Sequence, residues 1–360
     1  MLTVRSDTKS LRYNQGATNE TQEKDEKIIF KKAVFQNSKK GEPTEQYRFS
    51  HEGRNQALNV PCYAPLKAFR AIEPGPNGKY GITFNARHGY QDRPLALPCG
   101  QCVGCRLERS RQWAIRCTHE ASLYEENCFI TLTYDDEHLP KNRSVDVRPL
   151  QLFLKRLRKH YPHKIRFYAC GEYGELHQRP HYHAILFNHD FPDKVLWKMT
   201  NDLPLYNSPT LKKLWPYGHS SVGTVTWNSA AYVARYVMKK VTGEQANDHY
   251  QWIDENGEIH QRKPEFTTMS RRPGIGKTWL EKYASDVYPN DTVIMNGKKM
   301  RPPKYYDQQF EQEEPLPFKK IKAKRKTATR THAANNTPAR LKVREKVQIT
   351  RLNQLPRIIE

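Results

Sequence analysis

No run of the 360-residue sequence approaches the about 18 consecutive apolar residues that a membrane span requires. The opening MLTVRSDTKSLRYNQG has no apolar centre of the kind a secretory signal carries. Internal repeats are absent, and so are the paired, loop-separated Cys-x-x-Cys knuckles that would mark a zinc ribbon outright. Acidic residues are scarce: 38 Asp and Glu stand against 60 Lys and Arg, leaving a formal charge of +22. These absences exclude a membrane partner and a disulfide-stapled secreted scaffold, and they favour a polyanion as the partner. The seven cysteines, an odd number, suit a reducing compartment, and the host-cell cytoplasm is the expectation.

The positive charge is unevenly spread. Residues 318–357 hold thirteen Lys or Arg and one acid, Glu345, a net of +12, while residues 1–317 carry +11. With few aromatics, the stretch from 301 to 360 reads as a basic, largely flexible tail making loose phosphate contacts. Residues 1–55 are polar and aperiodic and read as a flexible leader. Residues 56–120 form a Cys-rich region and 121–300 a catalytic-sized domain.

Within that domain CFITLTY, KIRFYAC, RPHYHAILF and SSVGTVTW read as strands. RPLQLFLKRLRKHY has helical spacing through Leu150, Phe153, Leu154 and Leu157. RLERSRQWAIRCTHEASLYEE has a helical stripe too, and Trp197 to Trp215 looks irregular. NSAAYVARYVMKKVTG reads as a helix capped by Asn228 or Ser229, with Gly243 past its end. Consecutive strands joined by a short turn imply antiparallel pairing, hence an α+β fold: a central antiparallel sheet with flanking helices.

His181 and His183 are two residues apart on a strand, so both imidazoles face one side as a metal half-site. On the following helix, with Tyr232 at zero, Tyr236 falls near ~40° and Lys239 near ~−20°. The aliphatic residues lie on a separate arc. A phenol beside a metal half-site suggests tyrosine attack on a phosphodiester, assisted by the cation and by the ammonium of Lys239.

Cys99, Cys102 and Cys105 can supply three thiolates to a structural zinc, with Cys62, Cys117 or His119 as the fourth ligand. Gly274-Ile-Gly-Lys-Thr278 resembles the end of a phosphate loop, but Arg271 stands where the first glycine would be needed. Arg271, Arg272 and Lys277, around flexible glycines, instead suggest contacts to the DNA backbone. The remaining histidines, among them His160, His163, His189 and His219, read as solvated.

Together these motifs resemble the HUH endonucleases, whose His-hydrophobic-His strand precedes a helix bearing one or two tyrosines. FITLTY resembles that family's upstream strand. The order of histidines before tyrosines is similar to rolling-circle replication initiators. CGQCVGC, YVARYVMKK and MSRRPGIGKT together look like the initiators of gokushovirus-type microviruses, over about residues 99–279. The resemblance implies an RRM- or ferredoxin-like sheet, a third, acidic metal ligand and a Mg²⁺ or Mn²⁺ cofactor. Glu172 is the choice for that ligand, with Glu175 and His177 open. It also implies nicking of single-stranded origin DNA through a 5′-phosphotyrosine, with Tyr236 as first nucleophile and Tyr232 as second. Host helicase and polymerase would be partners. A non-enzymatic zinc-bearing DNA-binding regulator and a related transposase are the competing readings.

Overall fold

A computed structural model describes residues 62–174, 177–200, 203–235, 240–241, 245–254 and 256–354. The expected leader at 1–55, together with Tyr236, Lys239, Gly243 and Glu175, lies outside the described residues. In chain order a small sheet comes first: β1 (Leu66–Pro74), β2 (Tyr80–Thr83) and β3 (Leu95–Leu97), with β1 in the middle. Helix α1 (Val103–Ala121) leads to β4 (Asn127–Thr133), α2 (Val147–His160), β5 (Arg166–Tyr173) and β6 (Pro180–Phe187). Next come β7 (Val195–Thr200), β8 (Leu203–Asn207), α3 (Pro209–Leu214), β9 (Ser220–Thr224) and α4 (Trp227–Arg235). Then follow α5 (Gln245–His249), β10 (Gln251–Ile253), β11 (Ile259–Gln261), β12 (Phe266–Met269) and α6 (Lys277–Val287). A last hairpin, β13 (Val293–Met295) and β14 (Lys298–Met300), precedes α7 (Lys304–Glu313), α8 (Pro315–Arg330) and α9 (Pro338–Gln354).

Seven strands form one sheet in the order β12-β5-β6-β4-β9-β8-β7, antiparallel at every pairing, so the fold is α+β. Because side chains alternate along a strand, each face has its own core. Cys128, Ile130 and Leu132 of β4 and Tyr182, Ala184 and Leu186 of β6 pack on one side with Leu150, Phe153, Leu154 and Leu157 of α2. Tyr168, Cys170, Ile185 and Phe187 line the other side, under Ala114 and Cys117 of α1 and Ala230 and Val233 of α4. The alternation therefore sends His181, His183 and Glu172 to the α1–α4 side.

Several sequence expectations change. Glu172 was expected in a turn, but β5 runs on through Gly171 and Glu172 to Tyr173. Gly171 lets the strand continue, since a Cβ there would sit 2.6 Å from the Phe266 ring and 2.7 Å from Val145. The irregular stretch after Trp197 contains the β7–β8 hairpin; β7 is exposed on both faces, so it carries no hydrophobic alternation to read. Helix α4 begins one or two residues earlier than expected. Thr226 Oγ1 accepts from Ser229 N at 3.1 Å, and Ser229 Oγ accepts in return from Thr226 N at 2.7 Å. This reciprocal pair satisfies two amides at the helix start.

The expected flexible tail is instead helical from Lys304 to Gln354, apart from short connections. Two anchors explain this. Phe318 is buried against Tyr288 and Phe310. Arg325 spans Asp291 and Asp307, donating to both carboxylates, and their charges hold its pKa up against burial. Low aromatic content concealed a helix that docks through one phenylalanine and one arginine.

His189 is buried against Tyr161 and Phe191 rather than solvated. Burial, reinforced by the nearby His163 and His160, depresses its pKa to about 4. His119 stacks on Trp279 with ring centroids 3.4 Å apart, and burial lowers it to about 3. Both rings fold neutral, whereas the unfolded chain protonates them near 6.5. Their stability contribution is thus complete above pH 6.5 and is lost as pH falls toward 4 and 3. Urea unfolding at stepped pH is expected to show this fall. His189→Asn should flatten the slope by up to about 1.4 kcal/mol per pH unit, and an unchanged slope would contradict the assignment.

Candidate active site and cysteine centre

The register of β5 and β6 sets Glu172 directly opposite His181 and Cys170 opposite His183. Glu172 has no solvent exposure, and both histidines are about 5% exposed or less. Its Oε1 lies 2.9 Å from His181 Nε2 and 3.0 Å from His183 Nε2. The imidazoles stand edge to face, with centroids 4.9 Å apart. Burial alone would raise the Glu172 pKa, but hydrogen bonding and charge from the two histidines hold it down to about 2.

The other ring nitrogens are fixed from behind. His181 Nδ1 donates to the Arg179 carbonyl at 3.1 Å, and Thr131 Oγ1 lies 3.0 Å from His183 Nδ1. A carbonyl only accepts, so a neutral His181 keeps its proton on Nδ1 and turns an Nε2 lone pair toward the carboxylate. Two acceptors 2.9 Å apart need a proton or a cation between them. The donor set of two imidazole nitrogens and one carboxylate oxygen, all within 4.8 Å of one another, can hold a divalent cation.

Above this cluster, α4 brings the Tyr232 ring to 5.3 Å from the His183 ring, at 81°. Phe129 lies 5.5 Å from His183 and 6.3 Å from Tyr232, closing one side. Tyr232 also packs on the α1–α4 core, so it is less separate from the aliphatic stripe than the helical wheel implied. The sequence reading missed Thr131 and Phe129 as site neighbours. The pairing Thr131↔His183 and the alternation of β4 put both on this face, and only knowledge of the strand order reveals it.

The cysteine centre gathers Cys62, Cys99, Cys102 and Cys105, with all four sulfurs within 4.8 Å of one another. Cys117 is buried in the α1–α4 core and His119 lies on Trp279, so neither of these fourth-ligand alternatives joins them. Backbone amides point at the sulfurs: Tyr63 N donates to Cys102 Sγ at 3.3 Å and Cys99 N to Cys62 Sγ at 3.2 Å. Cys102 N and Gln101 N donate to Cys99 Sγ. Against burial, these amides and the neighbouring thiols lower the Cys99 pKa to about 7. Four sulfurs gathered around one such thiolate suit a tetrahedral soft cation.

The segment 270–277 is held firmly rather than by flexible glycines. Gly276 N donates to Glu120 Oε2 at 2.7 Å, and Arg116 and Arg166 donate to the carbonyls of Ile275 and Pro273. Glu120 also pairs with Arg166 in the interior, a pair that sequence patterning did not single out. Gly276, at φ +78°, would place a Cβ 2.5 Å from the Tyr306 hydroxyl, so its role is close approach. Arg271 and Arg272 are left exposed, and Lys277 is half-buried 3.5 Å from Glu281.

Comparison with known proteins agrees with this geometry. Residues 127–241, from the start of β4 to just beyond α4, match the family model of the replication-associated protein ORF2 family. The chain is 32% identical over 275 residues to replication-associated protein VP4 of Bdellovibrio phage phiMH2K, covering 73% of this chain and 81% of the relative. It is 34% identical over 234 residues to replication-associated protein ORF2 of Spiroplasma virus 4, covering 61% of this chain and 68% of the relative. Against replication-associated protein ORF4 of Chlamydia phage 1 it is 31% identical over 260 residues, covering 67% of this chain and 60% of the relative. No solved structure matches the chain.

Proposed function

Because the chain belongs to the replication-associated proteins of gokushovirus-type phages, we propose that it starts rolling-circle replication by cutting and rejoining single-stranded origin DNA. The observation that carries this reading is the phenol of Tyr232 beside the buried Glu172, His181 and His183 cluster. A pure DNA-binding protein needs no carboxylate buried between two imidazoles under a tyrosine.

His181, His183 and Glu172 would hold Mg²⁺ or Mn²⁺, and imidazole donors favour Mn²⁺. Such a cation would polarise the scissile phosphoryl oxygen and offset the charge that develops on it. The rest is carried by this chain's own side chains. The Tyr232 oxygen, or that of Tyr236 one turn on, attacks phosphorus as its proton leaves. The bond from phosphorus to the 3′ oxygen breaks, and that oxygen takes up a proton to become the priming hydroxyl. The 5′ phosphate stays on tyrosine as a diester of comparable energy, so rejoining needs no nucleotide. Lys239 would add positive charge near the reacting phosphate, and the second tyrosine would serve the closing cut. Thr131 and the Arg179 carbonyl keep the imidazoles oriented, as outer partners of metal ligands do. Arg271, Arg272 and Lys277 would track the backbone. Host helicase and polymerase would unwind the duplex and extend from the freed 3′ end.

Wild-type chain mixed with single-stranded origin DNA and Mn²⁺ is expected to give a covalent adduct on a denaturing gel. Tyr232→Phe combined with Tyr236→Phe should abolish the adduct while DNA binding persists. An adduct surviving in the double variant, or none from wild type with any divalent metal, would refute the mechanism.

The cysteine centre would hold a structural zinc that ties the first sheet to α1. Metal analysis of chain purified without chelator should find about one zinc per molecule, and Cys99→Ser should lose it. Metal-free wild-type protein would overturn that assignment.

A further inference from the structure

The small sheet beside the cysteine centre has a surface that nicking does not use. Its central strand β1 sets Arg70 opposite Ile82 of β2. An Ala71–Gly89 bridge draws Tyr90 alongside, its amide donating to the Arg70 carbonyl at 3.0 Å. Tyr80, two residues from Ile82, shares that face, as does Leu95, which pairs with Ala68. The other face buries Phe69 against Gly89, where any Cβ would meet Phe69 at 2.3 Å. The face with Arg70 thus points outward, yet it carries apolar and aromatic groups where a solvated face is ordinarily polar.

Arg70, Tyr80, Tyr90, Arg93 and Leu95 bound a cavity of about 440 Å³ there. Tyr80 is 51% exposed and Tyr90 45%. Residues 66–97 hold five Lys or Arg against two acids, and one of those acids, Asp92, is paired with Arg93. Exposed tyrosines interleaved with arginines offer flat π-faces for bases and cations for the phosphates between them, a pattern suited to single-stranded nucleic acid. The cysteine centre stabilises the platform: the Cys99 amide reaches Cys62 Sγ beside the Leu66–Leu97 rung.

We propose that this face is a second binding platform for single-stranded DNA, separate from the Glu172–His181–His183 site, with bases stacked on Tyr80 and Tyr90 and phosphates held by Arg70 and Arg93. It rests on the reading of the chain as a protein that handles single strands, and it gives the displaced or incoming strand a hold outside the cutting site.

The test is fluorescence anisotropy of the full-length, zinc-loaded chain with labelled oligothymidine that contains no origin sequence, without added divalent cation. Such DNA is not cut, so the result stands apart from that of the adduct assay. Tyr80→Ala with Tyr90→Ala should weaken binding about tenfold, the order expected for one or two lost stacking contacts. Tyr80→Phe with Tyr90→Phe keeps the rings and should stay within about twofold of wild type. Equal affinity for the alanine variant overturns the proposal, as does equal loss in the phenylalanine variant. A changed sedimentation coefficient with unchanged oligothymidine affinity would assign the face to a second copy of the chain and likewise overturn it.

Discussion

A carboxylate without solvent exposure, 2.9 to 3.0 Å from two imidazole nitrogens, is the constraint on which the rest of the site depends. Burying an anion is costly unless positive charge meets it closely. Here the compensation comes from rings whose far nitrogens are already engaged by a carbonyl and a threonine hydroxyl. The arrangement is stable only with protons or a cation between the carboxylate and the rings, and a cation is what phosphodiester chemistry requires. Structure and chemistry thus meet at one atom, Glu172 Oε1.

The sheet makes this meeting precise. Three adjacent strands, β5, β6 and β4, each contribute to one face by the alternation of the pleat, and their register aligns Glu172 with His181 and Thr131 with His183. A one-residue slip would turn the histidines toward α2. The large aromatic cores on both faces resist such a slip. On the α1–α4 side, Glu120 and Arg166 fasten α1 to β5 and hold the 270–277 segment, so the floor of the site and its basic rim share one internal ion pair.

Much of this was legible in the sequence because strand alternation is a local property. His181-Tyr182-His183 announced two imidazoles on one face, and Leu150, Phe153, Leu154 and Leu157 announced the helix covering the other. Glu172 could be chosen only through family resemblance, since Gly171 read as a turn until Phe266 was seen to pack on it. Phe129, Thr131 and the Glu120–Arg166 pair were hidden because they depend on strand order and on contacts 46 or more residues apart. The basic terminal region misled for a related reason: its order comes from Phe318 and Arg325 meeting partners elsewhere in the chain, which composition does not record. The tyrosine pair was legible as a pattern, and of its members Tyr232 lies at the cluster.

The +22 charge therefore has more than one setting. Part of it sits on docked helices, part on the tyrosine-bearing face of the first sheet, and part around the cluster where bonds are exchanged. The claim that organises these is cation binding by Glu172, His181 and His183, and pulsed electron paramagnetic resonance of Mn²⁺ added to the full chain tests it most directly. The account predicts two directly bound imidazole nitrogens, falling to one in His183→Ala. A Mn²⁺ signal with no nitrogen coupling, or one unaffected by that substitution, would contradict it.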